Sequence, residues 1–387
     1  MTHVDDPLLR WREEFPILDT CTYLVSHSLG AMPRTARTQA ERFLDAWATR
    51  GVRAWGEGWW EIGRGTGDLL APLLGVPDST VTMVQNVSVA QTVIVSSLDF
   101  RGPRRTIVAA RLDFPTNQYV FEGWRRFGAD VVYVESRDGL TQPAEDWLPY
   151  IDDRTALVCC SLVLFRSSSI TDVMPIIERA RAVGAPVVLD VYQATGTVPL
   201  DLTALGVEFA VGGSVKWLCG GPGAGYLYVR PDVAATLEPA ATGWAAHARP
   251  FAFETGAIAY AEGCERFASG TPNVSAWMIA QAGYRIVSEV GVPAIRAKSL
   301  RQTRRISDHA LARGWQVRSP LEDAWRGGTV TIDVPDSASV AAALIARDVI
   351  IDHRPNAGIR MAPHFYTTDA EITHALGVLD ELVGGHS

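Results

Sequence analysis

Between residues 80 and 230, short runs rich in β-branched residues alternate with stretches of helical length, and this alternation limits the fold more than any other feature of the chain. Residues 106–110, 131–134, 156–161, 186–191, 207–212 and 225–229 predict strands, and 89–98, 117–127, 173–183 and 200–205 predict helices between them. Strands joined through helices pair in parallel, because each crossover lays a helix on a face of the sheet. Such a sheet takes its ligands beyond the carboxyl ends of its strands. After residue 240 an irregular stretch rich in Gly, Ala and Phe leads to two long helices, near 275–289 and 292–313, then to strand, helix, strand and helix. The expected division is a large domain over residues 20–260 and a smaller α/β domain made of 1–19 with 261–387.

Composition narrows the partners. A chain of 387 residues, 47% hydrophobic and 20% charged, can bury two cores. Its formal charge of -8 and its scattered arginines argue against nucleic acid, which needs a basic face, and favour a small-molecule substrate. Five cysteines without paired spacing suit a reducing compartment and exclude a disulfide framework or a zinc knuckle. Residues 1–14 hold charges without an apolar core of signal-peptide length, and no run of eighteen apolar residues occurs, so the expectation is a cytoplasmic protein with no membrane span.

Two lysines stand against thirty-three arginines, and one of them, Lys216, lies in Gly212-Gly-Ser214-Val215-Lys216-Trp217-Leu-Cys219-Gly220-Gly-Pro-Gly223. An amine can condense with a carbonyl once desolvation lowers its pKa, whereas a guanidinium never attacks, so a lysine kept in this setting points to chemistry. Twenty-six positions earlier, the apolar run Val187-Val-Leu-Asp190 ends in a carboxylate. That carboxylate needs a partner, and the protonated ring nitrogen of pyridoxal phosphate supplies one while the lysine holds the cofactor's aldehyde as a Schiff base. Taken alone, Asp190 has a second reading as the cap of the segment that follows it.

With these residues the chain resembles the class V aminotransferase family of fold-type I pyridoxal-phosphate enzymes, kynureninases above all, over nearly its whole length. The resemblance implies a large domain with a mostly parallel seven-stranded sheet and a smaller carboxyl-terminal α/β domain. It implies pyridoxal 5'-phosphate as cofactor, Lys216 as catalytic residue, Asp190 as partner of the ring nitrogen, and Ser214 and Gln193 beside the cofactor. Asn86-Val87-Ser88-Val89 resembles the phosphate-binding turn, and Asp113-Phe114-Pro115-Thr116-Asn117 the segment whose Phe stacks on the ring and whose last residue also reaches the cofactor. Phe165-Arg166-Ser167 matches a segment with a hydroxyl near the cofactor. Gly243-Trp244-Ala-Ala-His247 and Gly270-Thr271-Pro-Asn273 resemble phosphate-contacting segments, the threonine serving a neighbouring subunit, so a homodimer with shared active sites is implied. Gly358-Ile-Arg360-Met-Ala-Pro-His364 resembles the segment whose arginine clamps the substrate α-carboxylate. Ser26-His27-Ser28-Leu-Gly30 resembles the turn at the mouth of the site, with His27 in place of Asn and implied to meet substrate.

The departures bear on the reaction. Kynureninases carry His, Tyr and Asp where this chain has Gln193, Val215 and Asn117, which puts hydrolysis of kynurenine in question. Cys219 and Cys264 are the nearest candidates for a persulfide-forming thiol, and both read as core residues. The run Trp55-Gly-Glu-Gly-Trp59-Trp60 suits a loop and is expected to wall in a bulky substrate. The implied activity is a lyase or hydrolase acting on the amino-acid part of a larger molecule, in specialised metabolism such as antibiotic biosynthesis. The alternatives are oxygen-dependent decarboxylation with deamination of an S-cysteinyl conjugate, amino transfer, and a non-catalytic binding module.

Overall fold

The computed structural model describes residues 6–384. Its central layer is a seven-stranded sheet in the order Val81–Val84, Gly225–Val229, Phe209–Gly213, Val187–Asp190, Thr155–Ser161, Thr106–Ala110, Asp130–Val134. Gly225–Val229 runs antiparallel to both neighbours and every other pair is parallel, giving the mostly parallel α/β architecture of fold-type I. Six of these strands fall where the β-branched runs predicted them, within two residues at either end. The seventh, Val81–Val84, was not predicted. Its four residues are too few to show a period, and its neighbour in the sheet comes from about 140 positions later.

Because side chains alternate along a strand, the sheet has two cores. On one face Val108, Val158, Leu189 and Ala210 meet Leu70 of helix Ile62–Leu74 and Trp277, Ala280 and Tyr284 of helix Val274–Val290. On the other, Ile107, Leu157, Val188 and Val211 meet Ala90 and Ile94 of helix Val87–Val95 and Phe121 of helix Pro115–Trp124. Helix Val274–Val290 therefore shares the core of the large sheet although it lies beyond residue 261. Helix Val292–Ala312 passes from that core, through Ile295, to a third one, through Ile306 and Ala310. The third core sits on a four-stranded antiparallel sheet in the order Asp352–Arg354, Gly358–Met361, Val330–Asp333, Gln316–Val317.

The amino-terminal segment binds the two units together. Thr22–Tyr23 pairs in parallel with Val349–Ile350, Leu24 enters the third core, and the Ser26 hydroxyl meets the Tyr366 hydroxyl at 2.8 Å. Gly30 N–H then donates to the Val215 carbonyl at 2.8 Å, against the loop that carries Lys216. A Cβ at Gly30 would lie 2.1 Å from the Lys216 carbonyl oxygen and 3.0 Å from the Cys219 Cα, so no side chain fits there without moving the lysine. Gly30→Ala should therefore lower the melting temperature clearly, as overpacking of about 1–3 kcal/mol does. Gly377→Ala, in a helix with open space around the new methyl, should leave it unchanged or raise it. Thermal unfolding followed by circular dichroism checks both.

Candidate active site

Beyond the carboxyl ends of the parallel strands lies a cavity of about 330 Å³, within the usual range of about 300–1,000 Å³ for small-molecule sites. Strand Val187–Asp190 delivers Asp190 to its floor, and the loop after strand Phe209–Gly213 delivers Lys216. Helix Val87–Val95 starts at its edge, with Asn86 capping through Oδ1 on the Val89 N–H at 3.1 Å, so Val87 and Ser88 line the cavity at an open helix N-terminus. Such a terminus presents free N–H groups and the positive end of the helix dipole to an anion.

The lysine loop is locked from both sides through Trp217. The buried indole N–H donates to Gln193 Oε1 at 3.0 Å, and the Trp217 carbonyl lies 2.9 Å from His364 Nε2. The Lys216 amine faces inward, 4.2 Å from the centroid of the Tyr192 ring and 5.7 Å from that of Phe114. Desolvation pulls its pKa down to about 8, against the pull of Asp190, with the Arg360 and Arg354 guanidiniums lowering it further. At neutral pH such a lysine keeps an appreciable fraction of free amine.

Asp190 is buried, and burial raises its pKa. Two neutral donors hold the anion against that cost: the Tyr192 N–H on Oδ1 at 2.9 Å and the Asn117 amide on Oδ2 at 3.0 Å. Asn117 is itself oriented by Gln91, whose Nε2 donates to Asn117 Oδ1 at 3.2 Å. Among the described residues no lysine, arginine or histidine forms an ion pair with Asp190, so its lone pairs face the cavity without a cation. Close by, burial lifts the Asp113 carboxyl to about 7.

At the opposite end, strands Asp352–Arg354 and Gly358–Met361 bring in Arg354 and Arg360. Arg360 is buried. It forms a bidentate pair with Asp352, Nε to Oδ1 at 3.0 Å and Nη2 to Oδ2 at 2.9 Å, and donates from Nη1 to the Phe165 carbonyl at 2.6 Å. His27 is buried beside them, with Nε2 3.9 Å from Asp352 Oδ2 and, among the described residues, no hydrogen bond to either ring nitrogen; burial together with the neighbouring cations depresses its pKa well below the usual range, leaving it neutral.

Of the residues singled out in the sequence, Val87, Ser88, Phe114, Asn117, Asp190, Gln193, Lys216, Arg360 and His27 line this one cavity. Four others lie outside its lining. The Ser167 hydroxyl donates to the Leu140 carbonyl, and Ser214 is spent on the Ala224 carbonyl and the Tyr284 hydroxyl. Thr271 lines a separate surface cavity of about 600 Å³ with Trp60, against which Trp244 packs at a tilt. The tryptophan-rich segment thus contributes Trp60 to that second cavity and none of its tryptophans to the lining of the Lys216 cavity. Sequence reasoning missed Tyr192, Asp352 and Arg354. Only the position of Tyr192 directly after the aspartate strand carried a signal. Cys219 and Cys264 are buried, with burial holding their thiols up at about 12 and about 11, so neither is a ready thiolate.

These parts fit pyridoxal phosphate: an amine for the aldehyde, a buried anion lacking a cation for the ring nitrogen, and a helix N-terminus for the phosphate. They define the class of α/β enzyme built on that cofactor. The model for the family "Aminotransferase class-V" matches residues 23–360. The chain belongs to this family, and with it to the pyridoxal-phosphate-dependent enzymes. It is 30% identical to a kynureninase of Burkholderia pseudomallei (strain K96243), over 98% of this chain and 93% of that protein. A kynureninase of Pseudomonas fluorescens is 28% identical with the same coverage. Among solved structures, an apo cysteine desulfurase from Thermococcus onnurineus NA1 matches with a TM-score of 0.86 at 20% identity, covering 100% of both chains. The cystine C-S lyase C-DES, in complex with its product cysteine persulfide, matches with a TM-score of 0.84 at 20% identity over 94% of this chain and 98% of its own.

With only two lysines, and Lys298 buried against Asp6 and the Phe365 carbonyl, Lys216 should be the one side-chain amine of the cofactor-free protein that reacts readily with trinitrobenzenesulfonate. The rate should rise with pH and level off above about 8, since only the free amine attacks. Peptide mapping of the labelled protein across a pH series checks this.

Proposed function

We propose that this protein is a pyridoxal-phosphate-dependent lyase that acts on the amino-acid part of its substrate by β-elimination or by C–S or C–C cleavage, in specialised metabolism. The observation that carries this reading is the meeting, in one cavity, of a lysine amine with a pKa of about 8, a buried carboxylate and two guanidiniums. When bound, the cofactor would supply an electron sink for negative charge at the substrate's α-carbon. Lys216 would hold the aldehyde end and then give and take a proton at that carbon, which its lowered pKa allows near neutrality. Asp190, kept ionised by Asn117 and the Tyr192 N–H, would keep the ring nitrogen protonated. Val87 and Ser88 would receive the phosphate, and Phe114 would lie against the ring. Gln193 uses its Oε1 on Trp217 and one N–H on the His27 carbonyl, and has one N–H left for the ring oxygen. Arg360 and His27 stand where the substrate's carboxylate and side chain would enter.

Val215, in place of the phenol found there in kynureninases, supports a reaction other than kynurenine hydrolysis, and relatives that include a cystine C-S lyase support cleavage next to sulfur. The loaded wild type should show a cofactor absorbance band that Lys216→Ala shifts towards that of the free aldehyde, with loss of activity. Mass spectrometry of products from an S-alkyl-L-cysteine conjugate, in air and under nitrogen, should show a thiol and pyruvate in equal amounts in both gases. A product that has lost carboxylate and amine, formed only in air, would replace the lyase by oxygen-dependent deamination. Transfer of the amino group to an added keto acid would mean an aminotransferase.

The same reading makes the working unit a homodimer. Trp244 packs with Trp60, Phe251 and Phe253, yet Phe251 is 56% and Phe253 71% exposed. Helix Arg34–Arg50 buries only Ala36 and leaves Leu44 and Trp47 at the surface. An apolar surface of this kind supports burial against a second copy, which would bring Trp244 and Thr271 to the phosphate of the neighbouring site. Sedimentation should give a dimer for the wild type. Phe251→Asp combined with Phe253→Asp should shift it to monomer and weaken cofactor retention.

A further inference from the structure

The resemblance assigns the substrate's carboxylate to Arg360, but the fork of Arg360 is already occupied. Nε and Nη2 both face Asp352 and Nη1 serves the Phe165 carbonyl, so each of its nitrogens donates within the chain. Asp352 holds a second guanidinium as well: Arg354 Nη2 lies 2.9 Å from the same Oδ2 that Arg360 Nη2 contacts. Arg354 also lines the cavity, with 45% of its side chain exposed, and among the described residues its only other bond is a long one, 3.3 Å, to the His353 carbonyl. It therefore has more free N–H groups for an incoming anion than Arg360 does.

The strand pairing makes the arrangement rigid. Asp352 lies directly opposite Arg360 across the hairpin, and Arg354 opposite Gly358, so the two cations approach one carboxylate from adjacent strands. The charges do not cancel. Two guanidiniums face the one carboxylate of Asp352 and leave this end of the cavity positive; the exposed Arg166 nearby adds to that charge, and His27, held neutral, does not.

On the basis of the functional reading above, we propose that Arg354 is a substrate-binding residue, and that Asp352 clamps it beside Arg360 to form a composite site for one monoanionic carboxylate. Asp352 is then a specificity-determining residue: by neutralising one of the two cations it favours amino acids with an uncharged side chain and disfavours those that bring a second carboxylate.

The test uses the full-length, cofactor-loaded protein titrated with L-alanine and with L-aspartate, following the absorbance of the cofactor. Losing a charge-assisted hydrogen bond costs roughly 10- to 100-fold in affinity. Arg354→Ala should raise the half-saturating concentration of L-alanine by about that factor, and Arg354→Lys should recover part of it, with both variants folded by circular dichroism. Asp352→Asn should shift the preference towards L-aspartate by about tenfold, the order of one ionic contact. Arg354→Ala within twofold of wild type, or an unchanged alanine-to-aspartate ratio in Asp352→Asn, would overturn the proposal. Because both arginines belong to the chain, acetate at constant ionic strength should also raise the melting temperature of the cofactor-free protein, and Arg354→Ala should remove that rise. An equal rise in the variant would count against the proposal. This arm holds even if the wild type takes up no cofactor, a result that would sink the functional reading alone.

Discussion

The carboxylate of Asp190 is the charge around which the rest is arranged. An anion at the end of a buried strand costs several kcal/mol unless it is hydrogen-bonded and eventually paired. The protein meets the first need with neutral donors, the Tyr192 N–H and the Asn117 amide backed by Gln91, and leaves the second open towards the cavity. A cation supplied from the chain would have satisfied Asp190 and closed the site. Instead the nearest lysine is held at a distance and kept partly neutral by the same desolvation. One low-dielectric floor thus raises the carboxylate's pKa and lowers the amine's, and holds both ready for a ligand that carries an aldehyde and a basic nitrogen.

Rigidity comes from residues that do not face the ligand. Trp217, directly after the lysine, has its indole N–H on Gln193 and its carbonyl against His364, so the large sheet, the lysine loop and the carboxyl-terminal unit meet at one buried side chain. Gln193 in turn donates to the His27 carbonyl and fixes the amino-terminal turn. The glutamine found where kynureninases carry histidine therefore has a structural task as well as a place at the cofactor. The two ends of the cavity differ in kind. The floor is a lone anion among neutral donors, while the far end is a cluster of two cations and one anion on a short hairpin.

The sheet was legible because its four inner parallel strands, Thr106–Ala110, Thr155–Ser161, Val187–Asp190 and Phe209–Gly213, are buried apolar runs flanked by helix, and burial on both faces removes the polar residues that would blur the pattern. Strand Val81–Val84 was not, because it joins the sheet only through Gly225–Val229, far along the chain. Lys216 and Asp190 stood out through rarity and position. Arg354 could not: in a chain of thirty-three arginines nothing local separates a cavity arginine from a surface one, and its significance comes from a carboxylate shared with Arg360. Ser167 and Ser214 were legible as hydroxyls near the right motifs, but whether a hydroxyl meets a ligand or a carbonyl is decided by backbone a few ångströms away, which one sequence does not show. Trp244 and Thr271 lie on an exposed face.

The short amino-terminal segment has a consequence for how the molecule comes into being. Residues 22–31 pair with Val349–Ile350, contact Tyr366 and press Gly30 against the lysine loop, so the mouth of the cavity is made from both ends of the polypeptide. During synthesis the large sheet can be complete by residue 229 while this segment still lacks the strand and the tyrosine it docks on. Contacts of such sequence separation form late and slowly. A chain stopped at residue 229 would carry Asp190 at the end of its strand but lack helix Val274–Val290 and His364, which brace the lysine loop, and only the finished carboxyl-terminal unit turns the open groove into an enclosed chamber.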